Sequence, residues 1–189
     1  VIRASREQVP ESPGALYLRP MLIGTTPNIG AAATPSGTAL LIVLASPVWD
    51  YFAGGAKPLR IFVEEEKTRT ASHLGVVKTG GNYAAALGLT RSLDSSFLHG
   101  VTRDSLLTMV RDSGWRVEER PFDVAEMLEW VKTGEAALSG TAAVLAGVGT
   151  LVTRSGEHRV GSGEIGPVTQ QLRQQLVAGR AECRGGRHA

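Results

Sequence analysis

Lys78 is the residue of this chain whose type and surroundings point most directly to chemistry, and it opens the segment Lys-Thr-Gly-Gly-Asn-Tyr. A lysine amine is a nucleophile that can bond to the carbonyl group of a planar cofactor held close to it. Gly80 and Gly81 would let the backbone approach such a ligand, because glycine carries no side chain. Tyr83 could donate a hydrogen bond to a phenolic oxygen. The same spacing is typical of a solvated loop lysine, so the segment alone does not decide between the two interpretations.

The other polar side chains have simpler interpretations. The acids Glu64, Glu65 and Glu66 follow a short apolar run and are typical of a solvated strand end. Cys183 is the single cysteine, and it can form neither an internal disulfide nor a cysteine metal cluster. We therefore predict no metal site and a reducing environment. His99 is typical of a surface histidine.

Short apolar runs alternate with helical patterns along the chain, which predicts an α/β (α+β) protein. The apolar runs predict strands at residues 16–18, 21–23, 39–45, 60–63, 117–119, 136–139 and 148–152. The run at 39–45 is apolar throughout and predicts a buried strand, whereas Pro20 predicts a bulge or an edge between the first two runs. The stretch 47–58 contains proline and paired glycines, and it is a candidate linker between domains.

The helices are predicted at residues 102–112, 124–132 and from Pro167 to Ala178. Thr102 can cap the first of these helices, and Gly114 can end it. Asp123 and Glu126 have the spacing of a capping box at the start of the second helix. Proline at the first position of the third helix is a common helix start.

The composition favours a folded protein without affinity for nucleic acid. Hydrophobic residues make up 42% of the 189 residues and charged residues 20%, which is enough for a packed core. The 20 basic and 18 acidic residues give a formal net charge of +2, too small to attract a polyanion. The chain shows no signal pattern, and its longest apolar run is too short to span a bilayer. We expect a soluble cytoplasmic protein that binds no membrane.

The segment that begins at Lys78 resembles the Schiff-base lysine segment of branched-chain aminotransferases, which are fold-type IV enzymes that depend on pyridoxal phosphate. Further segments resemble this family in the same order, at residues 16–20, 45–52, 62–66, 100–106, 139–143 and 166–169. The resemblance covers nearly the whole chain except its two ends. It implies an amino-group transfer between a branched-chain amino acid and 2-oxoglutarate.

The resemblance also implies roles for individual residues. Lys78 would form the Schiff base with pyridoxal 5'-phosphate and then shuttle a proton to and from the substrate, and Tyr83 would bond the phenolic oxygen. The backbone amides of Val101 and Thr102 open a helix, where the partial positive charge favours a phosphate.

Two residues of the later turn have implied ligands as well. Thr141 would bind the same phosphate as Val101 and Thr102. The amides of Thr141 and Ala142 would meet the carboxylate of the substrate.

The fold that the resemblance implies is the D-amino-acid-aminotransferase-like fold. Residues 1–52 would be a remnant of the small domain, and residues 53–189 a shortened, pseudo-barrel large domain that binds the cofactor. Because members of the family form homodimers with residues from both subunits at the site, we expect a homodimer, or a heteromer with a full-length relative.

The chain departs from the family pattern in several places. The N-terminal part of the family, with the arginine that clamps the phosphate, has no counterpart here. The segment 83–87 runs almost directly into 88–93, whereas a few dozen residues separate them in the family. The missing stretch carries the glutamate that pairs with the pyridine nitrogen, and Glu64, Glu65 and Glu66 align with a strand of another purpose. The usual proline before Gly100 is His99.

These departures leave two alternatives open. The first is a repurposed, cofactor-independent enzyme of the cyclase or isomerase type in a specialised pathway, with His99 and His73 as acid or base groups. The second is a non-catalytic subunit that pairs with a full-length relative. Retention of Lys78, Tyr83, Thr102 and Thr141 favours the aminotransferase over both.

Overall fold

The fold is described from a computed structural model. It covers residues 1–11, 14–28, 34–49, 55–66, 76–78 and 100–185, with side chains up to residue 179. Its internal contacts divide the chain into two compact units, Val1–Gly55 and Ala56–Ala189. The assignment of residues 1–52 and 53–189 to a small and a large domain stays a prediction.

The first unit contains a hairpin of two long strands. A short 3-10 helix, Arg6–Gln8, precedes strand β1 (Ala15–Gly24), which pairs antiparallel with strand β2 (Ala39–Val48). The pairing continues without a bulge, with Pro20 opposite Val43. Proline is tolerated here because each strand of a two-stranded sheet has a free edge, where the missing N–H costs no ladder hydrogen bond.

The prediction that residues 39–45 form a buried strand is right about the strand and wrong about its burial. Leu41 is 64% exposed and Leu44 is 54% exposed. Within the described residues β1 is the only strand that pairs with β2, and a ribbon of two strands covers neither of its own faces. The apolar composition of β2 therefore reports its strand character and not a core position.

The second unit is built around one central strand. This strand, β5 (Val144–Thr153), pairs antiparallel with β4 (Ala136–Gly140) along its first half. Its second half pairs parallel with β3 (Leu59–Phe62) and antiparallel with β6 (Gly156–Arg159). Nearly all β5 side chains are buried, as expected for a strand covered on both faces.

Helices pack on this sheet and form two apolar clusters with it. They are α1 (Val101–Asp112), α2 (Val124–Trp130) and α3 (Pro167–Gly185). Leu106 of α1 and Leu176 of α3 pack with Val144 and Leu145 of β5 in one cluster. A second cluster lies around the later part of β5 and consists of Val131, Val148, Leu151 and Val160. The predicted α/β (α+β) class is confirmed, and among the described residues no helix has the length and apolarity to cross a membrane.

Most of the predicted helix ends are found in the structure. Gly114 adopts a positive φ of 77° after α1, and its amide donates to the Arg111 carbonyl at 2.9 Å, as in a Schellman motif. The Asp123 side chain accepts from the Glu126 amide at 2.8 Å at the start of α2. Pro167 is the first residue of α3, which continues to Gly185 and so extends beyond the predicted end at Ala178.

Two local predictions are wrong. Thr102 does not cap α1, because Gly100 takes the capping position and Thr102 lies inside the first helical turn. Residues 117–119 do not form a strand. No described strand lies beside them, and their carboxylates bind arginines instead: Glu119 pairs with Arg103 at 2.7 Å.

Candidate functional site

Thr102 lies at the start of α1 in a position that suits an anion. Gly100 enters the helix in an extended conformation and supplies no side-chain cap, and the first amides of a helix have no partner within it. Thr102 is only 8% exposed, yet its hydroxyl makes no hydrogen bond within the described part of the chain. Because no fully buried polar side-chain atom there lacks a partner, this oxygen keeps contact with the surface. The helix start therefore offers unpaired donors beside its positive end.

The turn between β4 and β5 consists of three residues, 141–143, because Gly140 pairs with Val144. Thr141 and Ala142 are exposed. Val144 is buried and has a φ of 62°, in the left-handed region that β-branched residues rarely adopt. Strained conformations of this kind persist only where the surrounding structure imposes them, and they are common at ligand sites.

The packing of α1 brings these two segments to the same side of the core. Thr102 lies one helical turn before Leu106, so the two side chains share a helix face. Leu106 packs against Val144, the residue that follows the turn 141–143. The predicted phosphate-binding segments, which are about 40 residues apart along the chain, thus meet at one cluster. Their ligand roles stay predictions.

Arg173 of α3 completes this arrangement, and the sequence analysis missed it. Its Nη1 donates to the carbonyl of Ala143 at 2.6 Å and to the carbonyl of Leu145 at 2.8 Å. A sequence signal exists: Arg173 is four residues after Thr169, which is 5% exposed, so an arginine was to be expected on the buried side of α3.

The other predicted site residues are not joined to this cluster by the structure. Lys78 is exposed at the end of the described stretch 76–78. Tyr83, His73 and His99 lie outside the described residues. The roles predicted for these four residues stay predictions.

The acids after β3 are engaged by an arginine. Arg154 contacts Glu66 at 2.5 Å through Nη1 and Glu64 at 3.6 Å through Nη2. The side chain of Glu64 is 12% exposed, so the expectation of a fully solvated strand end is wrong for this residue. Because a half-exposed guanidinium already pairs with both carboxylates, neither is a spare partner for a pyridine nitrogen.

A cavity of about 300 Å³ lies at the start of α3, next to Glu135 and Glu164. The Glu135 carboxylate accepts from the amides of Val168 at 3.0 Å and Thr169 at 2.8 Å, and from the Thr169 hydroxyl at 2.7 Å. Its oxygens therefore satisfy the start of a helix, and we assign this cavity no chemistry.

Comparison with known proteins places the chain among aminotransferases. No family model matches it. A probable branched-chain-amino-acid aminotransferase of Streptomyces coelicolor is 36% identical over 86% of this chain and 57% of its own length. The branched-chain-amino-acid aminotransferase of Mycolicibacterium smegmatis is 32% identical over 94% of this chain and 61% of its own. The second such enzyme of Bacillus subtilis is 30% identical over 91% and 59%.

Solved structures show the same fold. A branched-chain amino acid aminotransferase from the organism abbreviated T.th., solved with pyridoxamine 5'-phosphate, superposes with a TM-score of 0.73 at 21% identity. That match covers 95% of this chain and 68% of the other. The holo form of the Thermobaculum terrenum enzyme gives a TM-score of 0.65 at 20% identity over 95% of this chain and 69% of its own. The mixed sheet with its packed helices is therefore the fold of the fold-type IV enzymes.

Sequence identity then narrows this class. The chain belongs to the branched-chain aminotransferase family. It spans less than two thirds of the length of the curated relatives named above. The alignment with the Streptomyces coelicolor relative extends over 207 positions, although it takes in only 86% of a 189-residue chain. That relative thus carries several dozen residues, inside the matched region, that this chain lacks.

Proposed function

We propose that this chain binds pyridoxal 5'-phosphate and transfers an amino group between a branched-chain amino acid and 2-oxoglutarate. One structural observation carries the proposal. Thr102 is buried with an unpartnered hydroxyl at a helix start, and Leu106 of the same helix face packs against the residue that follows the turn 141–143. Two segments that could hold one phosphate are thereby brought together. The T.th. relative is a branched-chain enzyme solved with a phosphorylated cofactor, which supports the same ligand class here.

The described residues fit the phosphate end of this cofactor. The amides of Val101 and Thr102 and the Thr102 hydroxyl would donate to phosphate oxygens, and Thr141 would add a donor from the turn. The amide of Ala142 would bind the carboxylate of the amino acid. When bound, the cofactor supplies an electron sink for the bond to the substrate Cα.

Lys78 and Tyr83 would act at the other end of the cofactor. The Lys78 amine would hold the cofactor covalently and would move the proton at the substrate Cα, which needs a base within hydrogen-bond reach. Tyr83 would donate to the phenolic oxygen. Both roles come from the family resemblance and await the test below.

The proposal includes a difference between binding and turnover. In the family a glutamate pairs with the pyridine nitrogen, and no counterpart follows Tyr83 in this sequence. Glu64 and Glu66 are held by Arg154 and do not replace it. The transition state would lose stabilisation that the bound ground state does not need. We therefore expect the cofactor to bind while amino transfer is slow.

The test is an absorbance titration of the purified chain with pyridoxal 5'-phosphate, followed by borohydride reduction and peptide mass mapping. We expect a new absorbance band and a reduced adduct on Lys78, which the Lys78→Ala variant abolishes. Lys57→Ala is the matched control, because Lys57 is also an exposed lysine of the second unit. Absence of an adduct on Lys78, or equal labelling in Lys78→Ala, would overturn the proposal.

Amino transfer is then measured separately. Leucine, isoleucine or valine is supplied with 2-oxoglutarate, and the glutamate formed is counted per chain. We expect turnover that is slow and depends on added cofactor and on Lys78. Turnover that persists without cofactor, or in Lys78→Ala, would contradict the proposed reaction.

A further inference from the structure

The turn 141–143 leads into a residue whose conformation needs support. Val144 has a φ of 62° and is 8% exposed, so a β-branched side chain is buried in the left-handed conformation. Such a residue relaxes toward extended backbone when nothing opposes it, because its Cβ crowds the neighbouring peptide groups. Relaxation at Val144 would redirect the amides of the turn just before it.

Arg173 supplies the opposing contacts. One nitrogen of its guanidinium bonds the carbonyl of Ala143 at 2.6 Å and the carbonyl of Leu145 at 2.8 Å. These carbonyls lie before and after Val144, so the two bonds fix the peptide groups on both sides of it. Neutral donors could not serve two acceptors as well, since charge-assisted hydrogen bonds are the stronger ones.

The same contacts complete the edge of the sheet. Carbonyls two residues apart in a strand point toward the same edge. β4 pairs with β5 at Val144 to Val148 on one edge, and β3 covers the other edge only from Val148 onward. Arg173 therefore stands in for a neighbouring strand at the start of β5. It does so from α3, whose Leu172 and Leu176 pack against the same cluster as Leu106.

We propose that Arg173 is a positioning residue that holds the turn 141–143 in the conformation that binds the phosphate of the cofactor. This inference rests on the proposed function and deepens it by naming the residue that shapes one wall of the anion site. Arg173 acts through the turn, so its loss should weaken recognition of the phosphate and leave the amine of Lys78 able to react.

The experiment compares Arg173→Gln and Arg173→Lys with the original chain. Arg116→Gln is the matched control, since the side chain of Arg116 is 88% exposed. Each protein is titrated with pyridoxal 5'-phosphate and with pyridoxal, which lacks the phosphate. We expect Arg173→Gln to bind pyridoxal 5'-phosphate about tenfold more weakly, as for the loss of charge-assisted hydrogen bonds. Its affinity for pyridoxal should be unchanged, Arg173→Lys should recover part of the loss, and Arg116→Gln should match the original chain.

A second measurement needs no cofactor. Hydrogen exchange of a peptide that covers residues 140–146 should be about tenfold faster in Arg173→Gln, because local opening is governed by local contacts. A peptide that covers residues 148–153 should be unchanged. The conformational role makes one further demand: in a Val144→Gly background, where positive φ costs little, Arg173→Gln should change the exchange of residues 140–146 less.

The outcomes separate the two proposals. If the original chain binds neither compound, the proposed function fails, and unchanged exchange in Arg173→Gln would overturn the positioning role as well. If it binds pyridoxal 5'-phosphate and Arg173→Gln weakens both compounds equally, or neither, the positioning role is overturned while the proposed function stands. Should Arg173→Gln fail to fold by circular dichroism, Arg173→Lys carries the same comparison. Equal affinity and exchange in that variant and the original chain would then overturn the role.

Discussion

At the scale of single residues, Thr102 shows how structure separates two meanings of one sequence signal. Threonine before an apolar helical face is a common N-cap, and a cap uses its hydroxyl to satisfy the helix. In this chain Gly100 occupies the capping position, and Thr102 is buried two residues later with its hydroxyl unpaired. A buried hydroxyl without a partner costs free energy unless a ligand compensates for it.

Thr102→Val should separate ligand binding from folding. Valine keeps the shape of threonine and removes the hydroxyl. Since that hydroxyl bonds nothing in the described structure, we expect the free energy of unfolding to change by less than about 1 kcal/mol. The affinity for pyridoxal 5'-phosphate should fall about tenfold or more, as for a lost hydrogen bond to a charged group. Denaturant unfolding and absorbance titration measure the two quantities.

The control for this variant is Thr108→Val on the same helix. The Thr108 hydroxyl donates to the Asp104 carbonyl at 3.1 Å and is exposed. We expect it to leave cofactor affinity unchanged. Equal affinity in Thr102→Val and the original chain would show that the start of α1 is not the phosphate site.

At the scale of secondary structure, the sequence predicts the elements whose signals are local. Gly114, Asp123 and Pro167 each mark a helix end through chemistry that acts within one turn, and all three do so in the structure. Strand extent was harder to predict. Residues 144–147 are small or apolar and carry no alternation, so only pairing with the distant β4 makes them part of a strand. Residues 117–119 show the converse, a strand-like run with no partner.

Asp123→Ala should weaken α2. Its carboxylate accepts from the Glu126 amide at 2.8 Å, and α2 has only seven residues, so the cap satisfies a large share of its free amides. We expect a loss of about 1 kcal/mol in the free energy of unfolding. Asp112→Ala at the end of α1 is the control and should be neutral or slightly stabilising, because an acid there opposes the helix dipole. Urea unfolding of both variants decides the matter, and equal midpoints would contradict the assigned cap.

Gly149→Ala should disturb β5 more than its small size indicates. A Cβ at this position would lie 2.7 Å from the Cβ of Pro58 and would collide with the backbone oxygen of Gly163. Backbone atoms cannot rotate away, so we expect a loss of about 1–3 kcal/mol in the free energy of unfolding. Gly140→Ala on the neighbouring strand is the control, since a Cβ there meets no atom within 4 Å. A stability for Gly149→Ala equal to that of the control would mean that the strand shifts freely.

At the scale of the whole molecule, the candidate site is a long-range construction. It joins the start of α1, the turn before β5 and the middle of α3, and a few apolar contacts around Leu106 hold these parts together. The resemblance predicted Thr102 and Thr141 because their motifs are contiguous in sequence. Arg173 was missed because its function depends on two carbonyls about 30 residues earlier, and no local pattern reports such a contact.

Glu135 offers a test of how such long-range contacts stabilise the molecule. Partial burial raises the pKa of Glu135, but the bonds from the Thr169 hydroxyl and from the amides of Thr169 and Val168 outweigh burial and hold the pKa below its usual 4.5. A carboxyl whose pKa is lowered by folding stabilises the folded state above the pKa of the unfolded chain. That contribution disappears as the pH falls through the lower, folded value.

The variant Glu135→Gln isolates this contribution, because every other carboxylate is common to both proteins. Near neutral pH we expect it to be less stable by about 1 kcal/mol, the usual cost of losing a helix cap. As the pH falls below 4.5, protonation removes the same interaction from the original chain, so the two unfolding free energies should converge. Glu164→Gln, an exposed acid beside the same cavity, should follow the original chain at every pH. A difference for Glu135→Gln that stays constant from neutral to acid pH would mean that the charge of Glu135 does not hold α3 in place.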